Sequence, residues 1–535
     1  MKYGFVIDNR KCIGCHACTV ACKSEHDVPV GVNRTFVKQT EKGVYPNTKR
    51  LFSVMRCNHC TEAPCVEICP VECLHIRPDG IVDFNTDRCI GCKSCMQACP
   101  YDALYIDPDS NTAAKCNYCA HRIDIGLEPA CVNVCPEHAI ISGDMDNQES
   151  EISQLISREN VMVRKPEKGT MPNVFYINGD EVSLTPGTTE RTNEYIWSSQ
   201  SKGVGHFSGH SGPLSGRSNS MQDAQPAGDQ ILLETSDTAP KRSMTVLMEK
   251  AHPRRVYDSP DKGVLWGWEV SGYIFTKAIA AGVAMVLCLG GLLGYELRDT
   301  TTWLSLALGL GFLIITGVLL VMDLDRPDRF LYVLLRPQWN SWLVRGGYAI
   351  TIFGASLVLW GTGMLLDLSI LSSIGFWGSA IFGLLVAIYT AFLFSQAKGR
   401  DFWQSPTLSL HMLVHSFIAG SSALIIGGWF IEDNMQWSHW LGHVFFWSIM
   451  VNLVVLIVEL SMTHPTEDAN TTALMIVKGM YSRLFWIGTV IIGNLLPLTI
   501  ILVGQSLFFA TVPALIGIWI TEKIWVEAPQ RLSLT

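Results

Sequence analysis

Seventeen of the 18 cysteines in this 535-residue chain lie between residues 12 and 136, and all of these except Cys73 fall into four quartets. The first two cysteines of each quartet are separated by two residues, and the last two are separated by three. The quartets are Cys12, Cys15, Cys18 and Cys22; Cys57, Cys60, Cys65 and Cys69; Cys89, Cys92, Cys95 and Cys99; and Cys116, Cys119, Cys131 and Cys135. Four thiolates hold a 4Fe–4S cluster, and short cysteine-rich loops supply them. The spacing therefore predicts iron–sulfur clusters, which transfer single electrons.

Proline follows the last cysteine of three quartets, at Pro70, Pro100 and Pro136. In the bacterial ferredoxin pattern this trailing cysteine ligates the other cluster of a pair. One quartet alone would also fit a zinc site, and disulfides are a further use of closely spaced cysteines. Four quartets in series, closed by the same spacing, favour clusters over both alternatives.

The run of quartets resembles the four-cluster electron-transfer subunits of molybdopterin oxidoreductases, such as dimethyl sulfoxide reductase, polysulfide reductase and formate dehydrogenase. The resemblance implies that the outer quartets exchange their last cysteines, and that the inner quartets do the same. The implied ligand sets are Cys12, Cys15, Cys18 and Cys135; Cys57, Cys60, Cys65 and Cys99; Cys89, Cys92, Cys95 and Cys69; and Cys116, Cys119, Cys131 and Cys22. Because every position is Cys, we expect four 4Fe–4S clusters. We interpret Cys73 and Cys288 as buried, unreactive thiols.

The composition divides the chain into a soluble part and a membrane part. We predict a duplicated ferredoxin-like α+β iron–sulfur domain over residues 1–195 and a flexible linker and juxtamembrane segment over 196–262. An all-α bundle of eight transmembrane helices is predicted over 263–535. The linker contains a tether, residues 197–245, that is too polar to fold. The net charge of −8 comes without a basic stripe, which argues against a nucleic-acid partner.

Apolar runs of about twenty residues, the length needed to cross a bilayer, recur eight times after Trp266. They lie near residues 270–295, 302–322, 346–367, 375–396, 408–431, 440–462, 484–504 and 507–525. The loops before the first run and after the even-numbered runs hold most of the Lys and Arg residues, whereas the opposite loops offer Arg298. The positive-inside rule then predicts an inner-membrane protein whose iron–sulfur domain lies in the cytoplasm. The N-terminus carries neither an apolar signal segment nor a twin-arginine motif, which agrees with that side.

The membrane half resembles the NrfD family, the polysulfide-reductase-type membrane subunits that exchange electrons with quinone. The resemblance is carried by Asp323–Phe330, by Trp339–Gly346, by Trp266–Trp268, by Tyr273–Lys277 and by Tyr389. It implies a quinone site and a molybdopterin-containing catalytic partner. In several relatives these subunits sit on the outer face of the membrane with an exported partner, a pattern from which a fused chain without a signal departs.

We place the quinone site at the cluster-facing end of the bundle, because quinone chemistry needs two electrons and two protons together. The candidates are Tyr273, Lys277, Asp323, Arg326, Arg329 and Tyr389. Tyr389 matches the quinone-pocket tyrosine of the family. Lys277 has the alternative role of reaching the interface with its charge. Arg326 and Arg329 have the alternative role of docking the cluster domain.

Histidines in the membrane half raise the question of haem. His411 and His415 lie one helical turn apart on one face, so they cannot be the two axial ligands of one iron. A cross-helix pair such as His415 with His443 is conceivable, but packed or hydrogen-bonded histidines are favoured, and we expect no haem. Glu459 is predicted either to pair with a neighbouring helix or to belong to a proton path.

Together these patterns predict electron transfer rather than bond-making on a substrate. We predict an electron-transfer and membrane-anchor subunit of a respiratory molybdopterin-type oxidoreductase, which connects a catalytic partner with the membrane quinone pool. A cytoplasmic cluster domain fits sulfite or formate oxidation slightly better than reduction of polysulfide or dimethyl sulfoxide. The alternatives are a redox-driven proton-translocating complex and a passive anchor for a ferredoxin.

Overall fold

The computed structural model describes residues 1–44, 46–189, 253–295, 298–430 and 435–535. The predicted tether lies outside the described residues. The described part forms an α+β domain followed by a helical bundle, so the predicted fold class is confirmed.

Short strands build the first domain around β1, whose side chains are almost all buried. The strands are β1 (Tyr3–Asp8), β2 (Thr35–Val44), β3 (Asn47–Arg56), β4 (Leu74–Ile76), β5 (Val82–Phe84), β6 (Tyr105–Asp107), β7 (Thr112–Ala114), β8 (Ile140–Asp144), β9 (Val161–Met162), β10 (Val174–Ile177) and β11 (Arg254–Tyr257). One sheet has the order β8-β1-β10-β9 and a second the order β11-β2-β3, while β4-β5 and β6-β7 form hairpins. Strand β10 runs parallel to β1, with Phe5 opposite Val174. The chain after the cysteine region thus returns to complete the sheet that begins it.

Short helices carry five of the sixteen cysteines, and the other eleven lie in the loops between helices and strands. The helices are α1 (Ala17–Glu25), α2 (Pro64–Ile68), α3 (Ser94–Ala98), α4 (Ala120–Ile123), α5 (Ala130–Asn133), α6 (Glu151–Arg158) and α7 (Glu181–Leu184). Helices α2 and α3 end immediately before Cys69 and Cys99, each of which precedes a proline. A residue before proline is forced out of the helical region, so the trailing cysteine leaves the helix in an extended conformation. Both Cys69 and Cys99 have extended backbone angles, which direct their thiols away from their own quartet.

Within the described residues, eight helices are long and apolar enough to cross a membrane, as the eight apolar runs predicted. The helices of this half are α8 (Trp268–Leu292), α9 (Asp299–Met322), α10 (Tyr332–Leu335), α11 (Trp342–Leu365), α12 (Ser369–Gln396), α13 (Leu408–Gly428), α14 (Met435–Ser461), α15 (Glu467–Val477), α16 (Leu484–Leu502) and α17 (Leu507–Glu527). Helices α10 and α15 are too short to span. The apolar segment of α8 is 83% buried, against 22% for α9, so α8 is central and α9 peripheral.

Helices α8 and α13 approach each other at Gly282 and Gly420. A Cβ at Gly282 would lie 1.8 Å from the carbonyl oxygen of Ser416, and one at Gly420 would lie 2.1 Å from the carbonyl carbon of Gly282. Only glycine fits at such a distance, as is common between membrane helices. This contact places the buried face of α13 directly beside α8.

The two halves of the chain are joined by polar contacts near the cysteine loops. The Lys93 ammonium lies 3.1 Å from Asp325 Oδ1 and donates to the carbonyl oxygen of Asp323 over 2.7 Å. Gly91 packs so closely on Asp325 that a Cβ there would lie 2.6 Å from the Asp325 Cβ. The side-chain amide of Gln97 donates to the side-chain oxygen of Gln530 over 2.5 Å. The third cysteine quartet therefore sits directly on the end of the helical bundle.

Candidate functional site

The structure brings the sixteen cysteines together as the four sets that the resemblance implied. Cys12, Cys15, Cys18 and Cys135 line one cavity, and we call them the first set. In the other three, each trailing thiol interacts electrostatically with thiols of the paired quartet. These are the second set (Cys57, Cys60, Cys65 and Cys99), the third set (Cys89, Cys92, Cys95 and Cys69) and the fourth set (Cys116, Cys119, Cys131 and Cys22).

The surroundings of these thiols favour binding of a metal over a free thiolate in contact with water. Most are buried, and burial raises the pKa of the Cys65 thiol well above its ordinary value. A buried thiolate is stabilised when it binds a metal, because the metal replaces its proton. Each set offers four sulfur donors, most of them buried, which fits a 4Fe–4S cluster.

Arg56 supplies an independent indication that the outer sets hold acceptor groups. Its guanidinium is buried and donates to Cys131 Sγ over 3.4 Å, and it also interacts electrostatically with Cys18 and Cys116. The same group lies 4.3 Å from the centre of the Phe5 ring. Among the described residues, its Nε and Nη2 atoms have no hydrogen-bond partner. Cluster sulfides between the first and fourth sets would satisfy such donors.

Besides the bond from Arg56, hydrogen bonds to cysteine sulfur come from backbone amides and from one histidine. Cys89 Sγ accepts from the amides of Ala113 (3.3 Å) and Gly91 (3.4 Å), and Cys135 Sγ accepts from the amide of Ala139 (3.2 Å). His26 Nε2 lies 3.1 Å from Cys119 Sγ. Such bonds tune the reduction potential of a cluster. The sequence did not indicate them, because any residue but proline carries an amide.

A cavity of about 230 Å³, which we call the interface cavity, lies where the third set meets the bundle. Its lining is mostly apolar, and its polar members include Cys92, Tyr273, Asp323 and Tyr389. Burial raises the pKa of the Asp323 carboxyl to about 7, against the opposing effect of Lys93. A predicted cluster ligand and three predicted quinone residues thus line one space.

Lys277 lies behind the wall of this cavity rather than in its lining. Its ammonium is buried, sits 4.4 Å from the centre of the Tyr389 ring and donates to the hydroxyl of Thr390. It lies 3.5 Å from the carbonyl oxygen of Ala387, at hydrogen-bonding distance. The side chain therefore remains inside the bundle, contrary to the alternative that it reaches the interface.

Arg326 and Arg329 lie outside the lining of the interface cavity. Arg329 donates to the carbonyl oxygens of Thr86 (2.7 Å) and Cys89 (3.1 Å), and Arg326 donates to the carbonyl oxygen of Ser110 (3.3 Å). Each arginine thus bonds the backbone of the iron–sulfur domain. These contacts favour the docking role over contact with quinone.

Both membrane histidines of α13 are paired with carboxylates. His411 Nδ1 lies 2.9 Å from Glu459 Oε2 on α14, and His415 Nδ1 lies 2.6 Å from Glu522 Oε1 on α17. Sequence reasoning considered Glu459 but missed Glu522. Glu522 and Lys523 are adjacent near the end of an apolar run. Two adjacent charged residues there are typical of a helix end at the membrane interface, so Glu522 was not recognised as a buried residue.

Comparison with known proteins assigns both halves. The family described as "Polysulphide reductase, NrfD" matches residues 259–527, half of the chain. A 4Fe-4S dicluster domain matches residues 48–145, and a 4Fe-4S binding domain matches residues 10–30. The iron–sulfur and NrfD resemblances are therefore confirmed.

Several curated proteins are similar to about a third of the chain. A tetrathionate reductase subunit of Salmonella typhimurium is 44% identical over 190 residues, which cover 35% of this chain and 76% of that protein. A polysulfide reductase component of Wolinella succinogenes is 40% identical over 179 residues, covering 33% and 94%. Protein NrfC of Escherichia coli is 40% identical over 180 residues, covering 33% and 81%.

Proposed function

This protein belongs to the polysulphide reductase NrfD family, with iron–sulfur domains joined to the membrane domain, and from that premise we propose that it passes electrons between a catalytic partner and membrane quinone. It would serve as the electron-transfer and membrane-anchor subunit of a multi-subunit oxidoreductase. One observation carries the proposal: Cys92 of the third set and Tyr389 of the bundle line the same interface cavity. A quinone headgroup in that cavity would touch both an electron carrier and groups that exchange protons.

The shape of the interface cavity supports a lipid-soluble substrate. Phe330 is 43% exposed and Thr351 is also exposed, and both belong to the cavity lining. The cavity therefore reaches the outer surface of the bundle, where membrane lipid would lie. Tyr273 and Tyr389 are hydrogen-bonding groups deep in this apolar space, as is usual in a site that orients a largely apolar ligand.

We propose that each of the four cysteine sets holds one 4Fe–4S cluster. When bound, the clusters supply one-electron carriers, and the chain contributes the thiolates, the Arg56 charge and the amide donors. The first set reaches the surface at Cys15, which is exposed. Ile13 and Val134, which neighbour ligands of this set in sequence, are 55% and 40% exposed. Exposed apolar side chains beside an electron-transfer site suit the docking of a catalytic subunit.

We propose that electrons flow from quinol to the catalytic partner. Two of the curated relatives are named as parts of tetrathionate reductase and polysulfide reductase. Those names favour reduction on the partner, with quinol as the electron donor, over the sulfite or formate oxidation that the predicted cytoplasmic side suggested. We propose a molybdopterin-containing reductase as the partner.

The domain limits of 1–195, 196–262 and 263–535 and the cytoplasmic position of the iron–sulfur domain are part of the proposal. The basic loops support that position, because Arg329 and Arg400 both bond the iron–sulfur domain from the bundle. Arg254, in the predicted juxtamembrane segment, lies in β11 on the same side.

The identity of the partner is tested by purifying the protein from membranes under mild detergent. We expect a molybdopterin-containing polypeptide to co-purify in a fixed ratio, and the complex to oxidise a quinol analogue when the partner's acceptor is added. Recovery of the protein alone, from membranes in which quinol-linked activity persists, would contradict the proposal.

A further inference from the structure

A second cavity, which we call the Glu459 cavity, lies on the same side of the bundle as the iron–sulfur domain. Glu459, Asp401, Gln404 and His464 line it together with Lys168, which belongs to the iron–sulfur domain and forms an ion pair with Asp401. Glu459 itself is only 2% exposed. A buried carboxyl therefore forms the inner wall of a cavity that lies between the two domains.

From Glu459, hydrogen-bonding groups continue into the bundle. Glu459 Oε2 lies 2.9 Å from His411 Nδ1, and the rings of His411 and His415 are 4.2 Å apart between centres. His415 Nδ1 in turn lies 2.6 Å from Glu522 Oε1. All four side chains are at least 98% buried.

From Glu522 the groups lead back to the interface cavity. The Lys277 ammonium interacts electrostatically with the Glu522 carboxylate and donates to the hydroxyl of Thr390. The same ammonium lies 4.4 Å from the centre of the Tyr389 ring. Tyr389 and Tyr273 both line the interface cavity.

The polar atoms along this line are not satisfied by protein alone. Among the described residues, His411 Nε2, His415 Nε2 and Glu459 Oε1 have no hydrogen-bond partner. Buried polar atoms of this kind are usually bonded to internal water. Two isolated histidine–carboxylate pairs would stabilise helix packing without needing a line of titratable groups that connects two cavities.

We propose that these buried side chains form a proton path that connects the interface cavity with the Glu459 cavity, both on the iron–sulfur side. The path consists of Tyr389, Thr390, Lys277, Glu522, His415, His411 and Glu459. The inference rests on the proposed function, because it assumes that quinol reacts in the interface cavity. It adds the route and the side of the membrane by which the protons leave or enter.

Quinol oxidation releases two electrons and two protons. Both O–H bonds of the quinol break, and its two electrons leave through the iron–sulfur domain toward the oxidised substrate of the partner. Its two protons pass one at a time through Tyr389, Thr390 and Lys277, then through Glu522 and the two histidines to Glu459, and so to water in the Glu459 cavity. Quinone reduction reverses every step. Since both ends of the path lie on one side, the proton transfer moves no net charge across the membrane.

The test uses the intact complex in lipid nanodiscs and follows electron transfer from a quinol analogue by stopped-flow absorption. We expect Glu459→Gln to slow quinol oxidation at least about tenfold, because a positioned proton-transfer group typically contributes about a hundredfold or more. Glu459→Asp should restore most of the rate. Binding of a quinone-site inhibitor should stay within about twofold of wild type, since the interface cavity is untouched. His443→Gln is the matched control, because His443 is an exposed histidine of the same helix, α14.

An infrared difference spectrum of the wild-type complex, recorded on quinol addition in H₂O and D₂O, tests the path by a second readout. A carboxyl band that shifts in D₂O and disappears in Glu522→Gln supports the path. A wild-type spectrum without such a band overturns the path, as does a Glu459→Gln rate within twofold of wild type. If wild-type protein itself fails to react with quinol, the proposed function fails instead.

Discussion

The Lys277 ammonium lies 4.4 Å from the centre of the Tyr389 ring. Helices α8 and α12 therefore meet at a contact between a buried charge and a phenol ring. A cation over an aromatic face is attracted by the negative potential of the ring, more strongly when water is excluded. The contact fixes the wall of the interface cavity and places a titratable amine directly behind it. The position of Tyr389 is thus set from inside the bundle as well as from the cavity.

Gly346 provides the space for the Tyr389 ring, so we expect Gly346→Ala to impair quinone chemistry. A Cβ at Gly346 would lie 2.2 Å from the ring atoms Cδ2 and Cε2. The ring must move, and displacements of about 1 Å at a reacting site cost up to about a hundredfold in rate. Quinol-linked turnover should therefore fall at least about tenfold, with dye-linked turnover retained.

Gly361→Ala, on the same helix but outside the lining of the interface cavity, is the matched control for that change. A Cβ at Gly361 would have its nearest neighbour, Leu306 Cδ1, at 3.6 Å, an ordinary contact. Quinol-linked turnover of this variant should equal that of wild type. Equal losses in both variants would show that the helix, and not the Tyr389 position, had been disturbed.

Arg56 should raise the reduction potentials of the clusters in the first and fourth sets. Removing a positive charge destabilises the more negative, reduced state, so Arg56→Gln should lower these potentials. The expected shift is about 50–100 mV, the scale for one charge at several ångströms and an effective dielectric constant of about 20. Redox titration followed by electron paramagnetic resonance measures it, and Arg56→Lys, which keeps the charge, should shift less. Unchanged potentials in Arg56→Gln would refute the assigned role.

Iron analysis checks the number of clusters. Anaerobically purified protein should contain about sixteen iron atoms per molecule, four for each cluster. Because Cys99 belongs to the second set, Cys99→Ser should weaken the signals of the two inner clusters more than those of the outer pair. Iron near half the expected value, or a three-iron signal in fresh protein, would contradict four complete clusters.

The side of the membrane is checked by fusions placed after Thr535. The basic loops predict that this end lies with the iron–sulfur domain in the cytoplasm. A fluorescent-protein fusion should therefore be fluorescent, and an alkaline phosphatase fusion should be inactive. The reverse pattern would place the domain on the outer face of the membrane and would contradict the proposed cytoplasmic position.

The residues that could be predicted are those whose role depends on local spacing or on helix orientation. The cysteine quartets follow motifs within short segments, and their pairing into sets was implied by the family resemblance. Tyr273, Asp323 and Tyr389 share one layer because each lies near the cluster-facing end of its helix. Other features depend on contacts between distant segments. No local sequence pattern predicts that the Tyr389 ring packs on Gly346 or that Arg56 lies beside Cys131. Lys277 was predicted at the site, but its position behind Tyr389 is set by the packing of α8 against α12.

The most direct test of the account is anaerobic stopped-flow mixing of the purified complex with a quinol analogue, read from the visible absorption of the oxidised clusters. We predict that wild-type clusters are reduced by quinol. In Tyr389→Phe, which keeps the ring but removes the phenol, reduction by quinol should be at least about tenfold slower. Dithionite should reduce the clusters of both proteins equally. Wild-type clusters that dithionite reduces but quinol leaves oxidised would contradict the central claim that this protein joins quinone to the iron–sulfur sites.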